Sequence, residues 1–156
     1  MPEGVNKTNG GKDQNEETVS NVAELTTTRN EAAQPSQDTE PLQSTVVTEE
    51  DLYNGTVDNY GVMYSKDGKR LLRGHQYLSS YTIKEGTLVI CDEAFKFSRS
   101  LVNITLPESL LAIGKMAFSI CVNLEEVNFP EGLKVIGDRA FCGCTHLKKC
   151  VFPSKH

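Results

Sequence analysis

Residues 83–105 read IKEGTLVICDEAFKFSRSLVNIT, residues 106–128 read LPESLLAIGKMAFSICVNLEEVN, and residues 129–151 read FPEGLKVIGDRAFCGCTHLKKCV. Each of the three lines is 23 residues long, and they follow one another without a gap. Phe95, Phe118 and Phe141 align, as do Ala94, Ala117 and Ala140. So do Ile90, Ile113 and Ile136, and Leu101, Leu124 and Leu147. A fourth line opens with Phe152 and Pro153. Self-similarity at a fixed period in the twenties marks a repeat solenoid, whose units bury their apolar face only by stacking on a neighbour.

Within each line a short strand is expected over Leu101–Leu106, Leu124–Phe129 and Leu147–Phe152. The leading Leu and the apolar residues three and five places on should face inward. Pro107, Pro130 and Pro153 close these strands, where no further ladder donor is needed. Leu110 and Leu133, Ile113 and Ile136, Ala117 and Ala140, and Phe118 and Phe141 are expected to form the opposite, convex wall. Gly114 and Gly137 are expected to sit at positive φ. Stacking buries the Phe column, which should dominate the apolar gain.

Cys121–Leu124–Val127–Phe129–Pro130, followed by Ile136–Gly137–Ala140–Phe141–Cys144, resembles the BspA-like, or Treponema-type, leucine-rich repeats. Their motif runs roughly C-x-x-L-x-x-I-x-L-P, then I-G-x-x-A-F-x-x-C. The resemblance covers about half of the chain. It implies a leucine-rich-repeat solenoid that binds proteins, with adhesion to host or matrix proteins at a bacterial surface as the family's setting. It also implies a small inward side chain at the Cys position.

Outward from the repeats, three stretches are expected: a disordered acidic polar tail over 1–48, a capping hairpin region over 49–80, and the repeats over 81–156. Thr48-Glu-Glu-Asp-Leu52 reads as a capping turn with Thr48 as N-cap. Tyr60–Ser65 and Arg70–Arg73 flank a central Asp67-Gly68, a hairpin signal. Its expected task is to cover the open edge of the first coil. Gly74–Ser80 reads as a connector, and Tyr81–Ile83 enters the first coil. Residues 1–48 contain no aromatic side chain and too little apolar surface to offset roughly 1–2 kcal/mol of backbone ordering per residue. They read as a flexible spacer or tether, with a marginal helix at Thr18–Leu25.

Charge follows the same division. Residues 1–50 carry three Lys/Arg and ten Asp/Glu, whereas residues 51–156 carry thirteen and eleven. The acidity belongs to the leading segment. No basic field exists to hold a polyphosphate backbone, so nucleic acid is not an expected partner. No apolar run approaches the roughly 20 residues of a membrane span. The amino terminus has no apolar stretch after its first charges and does not read as a secretory signal. Taken as complete, the chain reads as cytoplasmic, against the surface setting of the family it resembles.

No cofactor, metal or catalytic group is expected. Cys121 and Cys144 share one repeat position with Ser98, and packing is favoured there over a bridge between adjacent rungs. Cys142, Cys144, His146 and Cys150 do not form a zinc spacing. Cys150 aligns with Ile104 and Val127 and should face inward, away from His146. His75, His146 and His156 lie in no nucleophile motif. The adjacent Glu125 and Glu126 do not make a catalytic pair. Gly10-Gly11-Lys12 lacks the strand of a phosphate loop.

The expected partner surface is the outward side of the strands: Val102, Asn103 and Thr105, then Glu125, Glu126 and Asn128, then Lys148, Lys149 and Val151. Glu125 and Lys148 lie one period apart, as do Glu126 and Lys149, so each pair should be lateral neighbours worth a few tenths of a kcal/mol. The expected function is non-enzymatic protein interaction, with a truncated fragment or a structural or regulatory subunit as the alternative. The unfinished fourth coil leaves an edge. Either further repeats follow, or two chains associate end to end through the uncapped C-terminal coil. Size-exclusion chromatography with light scattering checks the second expectation, and a monomer at high concentration would overturn it.

Overall fold

The computed structural model describes residues 43–153. The expected helix at Thr18–Leu25, the Gly10–Lys12 stretch, His156 and residues 1–42 of the tail lie outside the described residues. One short helix, α1 (Glu49–Asn54), opens the described fold. Ten strands follow: β1 (Thr56–Val57), β2 (Met63–Tyr64), β3 (Arg70–Arg73), β4 (Ser80–Thr82), β5 (Val89–Ile90), β6 (Asn103–Thr105), β7 (Ala112–Ile113), β8 (Glu126–Asn128), β9 (Val135–Ile136) and β10 (Lys149–Val151).

The strands form two sheets, ordered β1-β2-β3-β5-β7-β9 and β4-β6-β8-β10. Each coil contributes one strand to each sheet, so successive coils pair in parallel. Tyr81 lies opposite Ile104, and Val127 opposite Cys150. On the other wall Val89, Ala112 and Val135 pair in turn. Every one of these offsets is the 23-residue period. The chain is thus a β-solenoid with four rungs in the second sheet, the first being β4. The sequence reading assigned Ser80 to a connector. Yet Leu78 and Tyr81 stand one period before Leu101 and Ile104, and they begin the stack.

The Phe column forms as expected. Phe95 and Phe118 stack at 5.2 Å between centroids with planes 3° apart, and Phe118 and Phe141 at 5.1 Å and 4°. Phe95 and Phe118 are essentially dry. Tyr81 leans on Phe95 at the head of the column. Leu101, Leu124, Ile113 and Ile136 fill the rest of the space between the sheets. The first sheet is buried on its outer side too: Val89, Ala112 and Val135 form a second cluster with Leu72 and Cys91, over which Val47 and Met63 pack.

Glycine behaves differently from expectation. Gly114 and Gly137 are not among the positive-φ residues. Their constraint is steric: a Cβ at Gly114 would stand 2.5 Å from Asp92 Oδ1 and 2.6 Å from Asp92 N. One at Gly137 would stand 2.6 Å from Lys115 N. Each glycine lets its coil settle against the backbone of the coil before. Cys91 holds the same place in the first coil, where the neighbour is the hairpin rather than a full repeat. The positive φ falls instead on Glu93, Met116 and Arg139, one repeat position, and on Phe97, Ile120 and Gly143, another.

The head of the stack is closed as predicted in kind. Thr48 caps α1 through a reciprocal exchange with Asp51. β2 and β3 form an antiparallel hairpin, and β3 pairs in parallel with β5, covering the first coil's edge. Residues 43–48, expected to belong to the disordered tail, instead join this closure. Arg70 Nε donates to Ser44 O, its Nη2 to Val46 O and its Nη1 to Asp51 Oδ1 at 2.8 Å. Asp92 N donates to Thr45 O. Residues 43–48 are therefore a strap on the solenoid.

Gly137→Ala is expected to cost about 1–3 kcal/mol in urea unfolding, because the new methyl meets backbone that cannot yield. Gly132→Ala, with open space at the same atom, should stay within about 0.5 kcal/mol. Phe118→Ala should cost about 3–5 kcal/mol, the range for a lost buried ring.

Candidate partner-binding face

The outward side of the second sheet is built by simple alternation. In β4, β6 and β8 the central residue is buried and both flanking residues are exposed or half-buried. Tyr81, Ile104 and Val127 therefore point in, and Cys150 follows them, half-buried, in β10. The outward row runs Ser80 and Thr82, Asn103 and Thr105, Glu126 and Asn128, Lys149 and Val151. Val102, Glu125 and Lys148 lie just before their strands. Of the nine residues expected on this face, six flank the central residues of β6, β8 and β10 and three lie just before those strands; Val102 and Glu126 are half-buried and the others exposed. Ser80 and Thr82 extend it by one rung, and only the alignment of Leu78 and Tyr81 with the next coil could have revealed them.

Charge on the face is banded. The first two rungs are neutral and hydroxyl- or amide-bearing, the third is acidic and the fourth basic. Lys149 Nζ stands 3.9 Å from Glu126 Oε2, with Lys149 exposed and Glu126 half-buried. Asn128 Nδ2 donates to the same oxygen at 3.4 Å. Such a pair contributes on the order of a few tenths of a kcal/mol. Lys148 and Glu125 meet through the backbone, Lys148 N donating to Glu125 O at 2.9 Å. The acidic and basic bands thus stay open to solvent.

One border of the face is stapled by side chains. Asn123 Nδ2 donates to Arg99 O at 2.7 Å, and His146 Nδ1 lies 2.8 Å from Val122 O one coil later. Both occupy one repeat position, so His146 serves the same rung contact as Asn123. The Cys position does parallel work inside. Cys121 Sγ donates to Phe95 O and Cys144 Sγ to Phe118 O, each at 3.1 Å. All five cysteines are free thiols in the structure. Contact with Cys121 and burial push the Cys144 thiol up, and burial raises Cys150 to about 11. Neither favours a nucleophilic thiolate. Cys142 and His146 are exposed while Cys144 and Cys150 turn inward, so these four do not converge on one ion. His75 Nδ1 accepts from Tyr77 N. Among the described residues neither His75 nor His146 hydrogen-bonds a serine or cysteine side chain.

A buried polar chain closes the head of the face. Tyr64 and Tyr81 share a hydrogen bond of 2.6 Å between hydroxyls, and Tyr81 donates to Asp58 Oδ2 at 2.5 Å. Asp58 Oδ1 accepts from the N–H groups of Tyr60 and Val62. Burial works to raise the Asp58 carboxyl, but these donors and nearby Lys84 hold it below the usual carboxylate range. Burial and donation to Asp58 push Tyr81 well above an ordinary phenol. The chain ties β4 to the hairpin.

The BspA type leucine-rich repeat region model matches residues 68–156, more than half of the chain. Solved structures share the fold. A leucine-rich repeat protein from Eubacterium ventriosum is 25% identical, with a TM-score of 0.61 over 65% of this chain and 28% of that one. One from Bacteroides capillosus is 22% identical, with a TM-score of 0.50 over 71% of this chain and 78% of that one. The pneumococcal vaccine antigen PcpA is 21% identical, with a TM-score of 0.52 over 65% of this chain and 31% of that one. The chain thus spans little more than a quarter of the length of the Eubacterium protein. No curated protein matches it. No helix among the described residues is long and apolar enough to cross a membrane.

Because its folded-state value is depressed, Asp58 adds stability that is fully present above the unfolded value of about 3.9 and is lost as pH falls through the folded one. Asp58→Asn should lower the urea midpoint at pH 7 and flatten its decline between about pH 5 and pH 2. An unchanged acid limb would show that the carboxylate is not held by the fold.

Proposed function

Since this chain belongs to the BspA type leucine-rich repeat family, we propose that it is a protein-interaction module whose binding surface is the outward side of β4, β6, β8 and β10. The banded row of open side chains carries this reading. Asn103, Thr105, Glu125, Asn128, Lys148, Lys149 and Val151 project from a rigid ladder at a fixed spacing. The ladder holds their backbone in place before binding, so little ordering entropy opposes a partner. Neighbouring bands of opposite sign suit a partner with its own acidic and basic patches in the reverse order, not one of uniform charge. A protein surface offers such a pattern and a nucleic acid does not. Adhesion to host or matrix proteins at the cell surface is the setting that the family resemblance adds to this reading.

The experiment is a comparative pull-down with an opposite-wall control. The triple variant Asn103→Ala, Glu125→Ala, Lys148→Ala should lose about tenfold or more in partner capture with an unchanged thermal midpoint, since such exposed changes stay near ±0.5 kcal/mol in stability. Lys134→Ala on the other wall should capture as the wild type does. Equal capture by the triple variant would overturn the assignment of the face. Removing residues 1–42 as well, which leaves the strap of residues 43–48 and the Thr48 cap in place, separates partners held by the leading segment from those held by the solenoid.

A further inference from the structure

An open groove of about 780 Å³ lies at the head of the stack, within the size range of clefts that hold small ligands. Three stretches wall it: Val46 and Val47 of the strap, Arg73–Tyr77 after β3, and the first coil's turn over 92–98. The repeats do not build it, because the stretch after β3 stands where an interior coil would have a full repeat before it.

Hydrogen bonds set these walls. Asp92 N donates to Thr45 O and Gly74 N to Ala94 O, each at 2.8 Å, and Phe97 N donates to Ser119 O at 2.9 Å. Tyr77 N donates to His75 Nδ1 at 3.3 Å, and the two rings meet at 5.7 Å between centroids. Gly74 lies so close to Phe95 that a Cβ there would stand 2.2 Å from the ring. The groove is thus formed before any ligand arrives, and little ordering opposes binding.

Two aromatic rings are held open on it. Tyr77 is 74% exposed and Phe97 46%. Phe97 has φ 66°, a conformation that an aromatic residue rarely adopts. The same repeat position holds Ile120 and Gly143, so the stack does not demand an aromatic there. Lys96 Nζ and the Arg99 guanidinium lie 5.4 and 5.8 Å from the ring centre of Phe97 and place donors beside it.

The polar lining is balanced in charge. Arg73 and Lys96 face Asp92 and Glu93, and Lys96 stands 3.9 Å from Glu93. A ligand with a net charge would meet repelling and attracting groups in equal number. Among the described residues the Arg73 guanidinium, the Gln76 amide and the Tyr77 hydroxyl make no side-chain hydrogen bond. Open donors and acceptors beside flat rings suit a neutral molecule with apolar faces and a hydroxylated rim. A β-linked pyranose has that form, with C–H groups on both faces and hydroxyls around its edge. We propose that this groove binds a neutral, unbranched oligosaccharide of β-linked pyranose units. Its sugar faces lie on Tyr77 and Phe97, and its hydroxyls meet Arg73, Gln76 and Glu93. None of the strand-face residues lines the groove, so this reading and the proposed function fail independently.

The test is an amide NMR titration of the full 156-residue chain under reducing conditions. Cellotetraose and chitotetraose are the probes. Tetragalacturonate is the charged control and decaproline the polypeptide control. At about 10 mM at least one tetraose should shift the amide signals of Gln76, Tyr77 and Phe97, while those of Asn103, Glu125 and Lys148 stay in place. Tyr77→Ala and Phe97→Gly should each weaken that binding about tenfold or more. Their thermal midpoints should stay near the wild type, because both rings are exposed and glycine suits the φ at Phe97. No groove shift with either tetraose overturns the proposal, as do equal shifts with tetragalacturonate or decaproline, or unchanged affinity in both variants. Shifts at the same three amides on removal of residues 1–42, without any sugar, would give the groove to the leading segment and overturn it as well.

Discussion

Coils one strand apart leave very little room, and the whole molecule is shaped by that spacing. Adjacent strands in any sheet lie about 4.7–4.9 Å apart. The phenylalanine centroids at 5.1 and 5.2 Å, with nearly parallel planes, follow that repeat. Rings held at this pitch exclude water from one another without tilting, so a single residue type recurs. The same closeness forbids a Cβ at Gly114 and Gly137. It also favours a small hydrogen-bonding side chain at Ser98, Cys121 and Cys144, where the two thiols reach the carbonyl of a phenylalanine one coil back. These choices look like separate motif letters in the sequence, yet one distance explains them.

The head of a stack faces a problem that its middle does not, and it is met by local chemistry foreign to the repeat. A hairpin supplies the missing strand, Arg70 gathers the strap through Ser44, Val46 and Asp51, and the Asp58–Tyr81–Tyr64 chain joins hairpin to first rung. Each buried polar atom in that chain has a partner, as a dry site requires.

The proposed binding surface follows from the division of labour inside a rung. The inward residue of each short strand must be apolar, so it carries no information about partners. The outward residues are released from packing and vary freely from coil to coil: hydroxyls, then carboxylates, then ammonium groups. Gly114, Gly137, Cys121, Cys144 and His146, which look chemical in the sequence, are spent on contacts between coils. His146 is the clearest case, matched by Asn123 in the same staple one coil earlier.

The sequence by itself determined the period, the strand positions, the inward and outward sides and the membership of the Phe column. All of these are set by residues repeating at a fixed offset, and a parallel stack converts that offset directly into spatial adjacency. It also carried the hairpin and the Thr48 cap, which rest on neighbours in the chain. Only the tertiary structure decided that β4 is a rung, that residues 43–48 are a strap, and that Gly114 and Gly137 answer to a neighbouring backbone and not to φ. Those features depend on contacts such as Arg70 to Ser44 or Gly137 to Lys115, between residues that no repeat alignment pairs and no local preference announces. Likewise the left-handed backbone at Glu93 and Phe97 has no signal in side chains that ordinarily avoid it. It accompanies contacts along the stack, in which the N–H groups of Glu93, Phe95 and Phe97 donate to Lys115 O, Ala117 O and Ser119 O of the next coil.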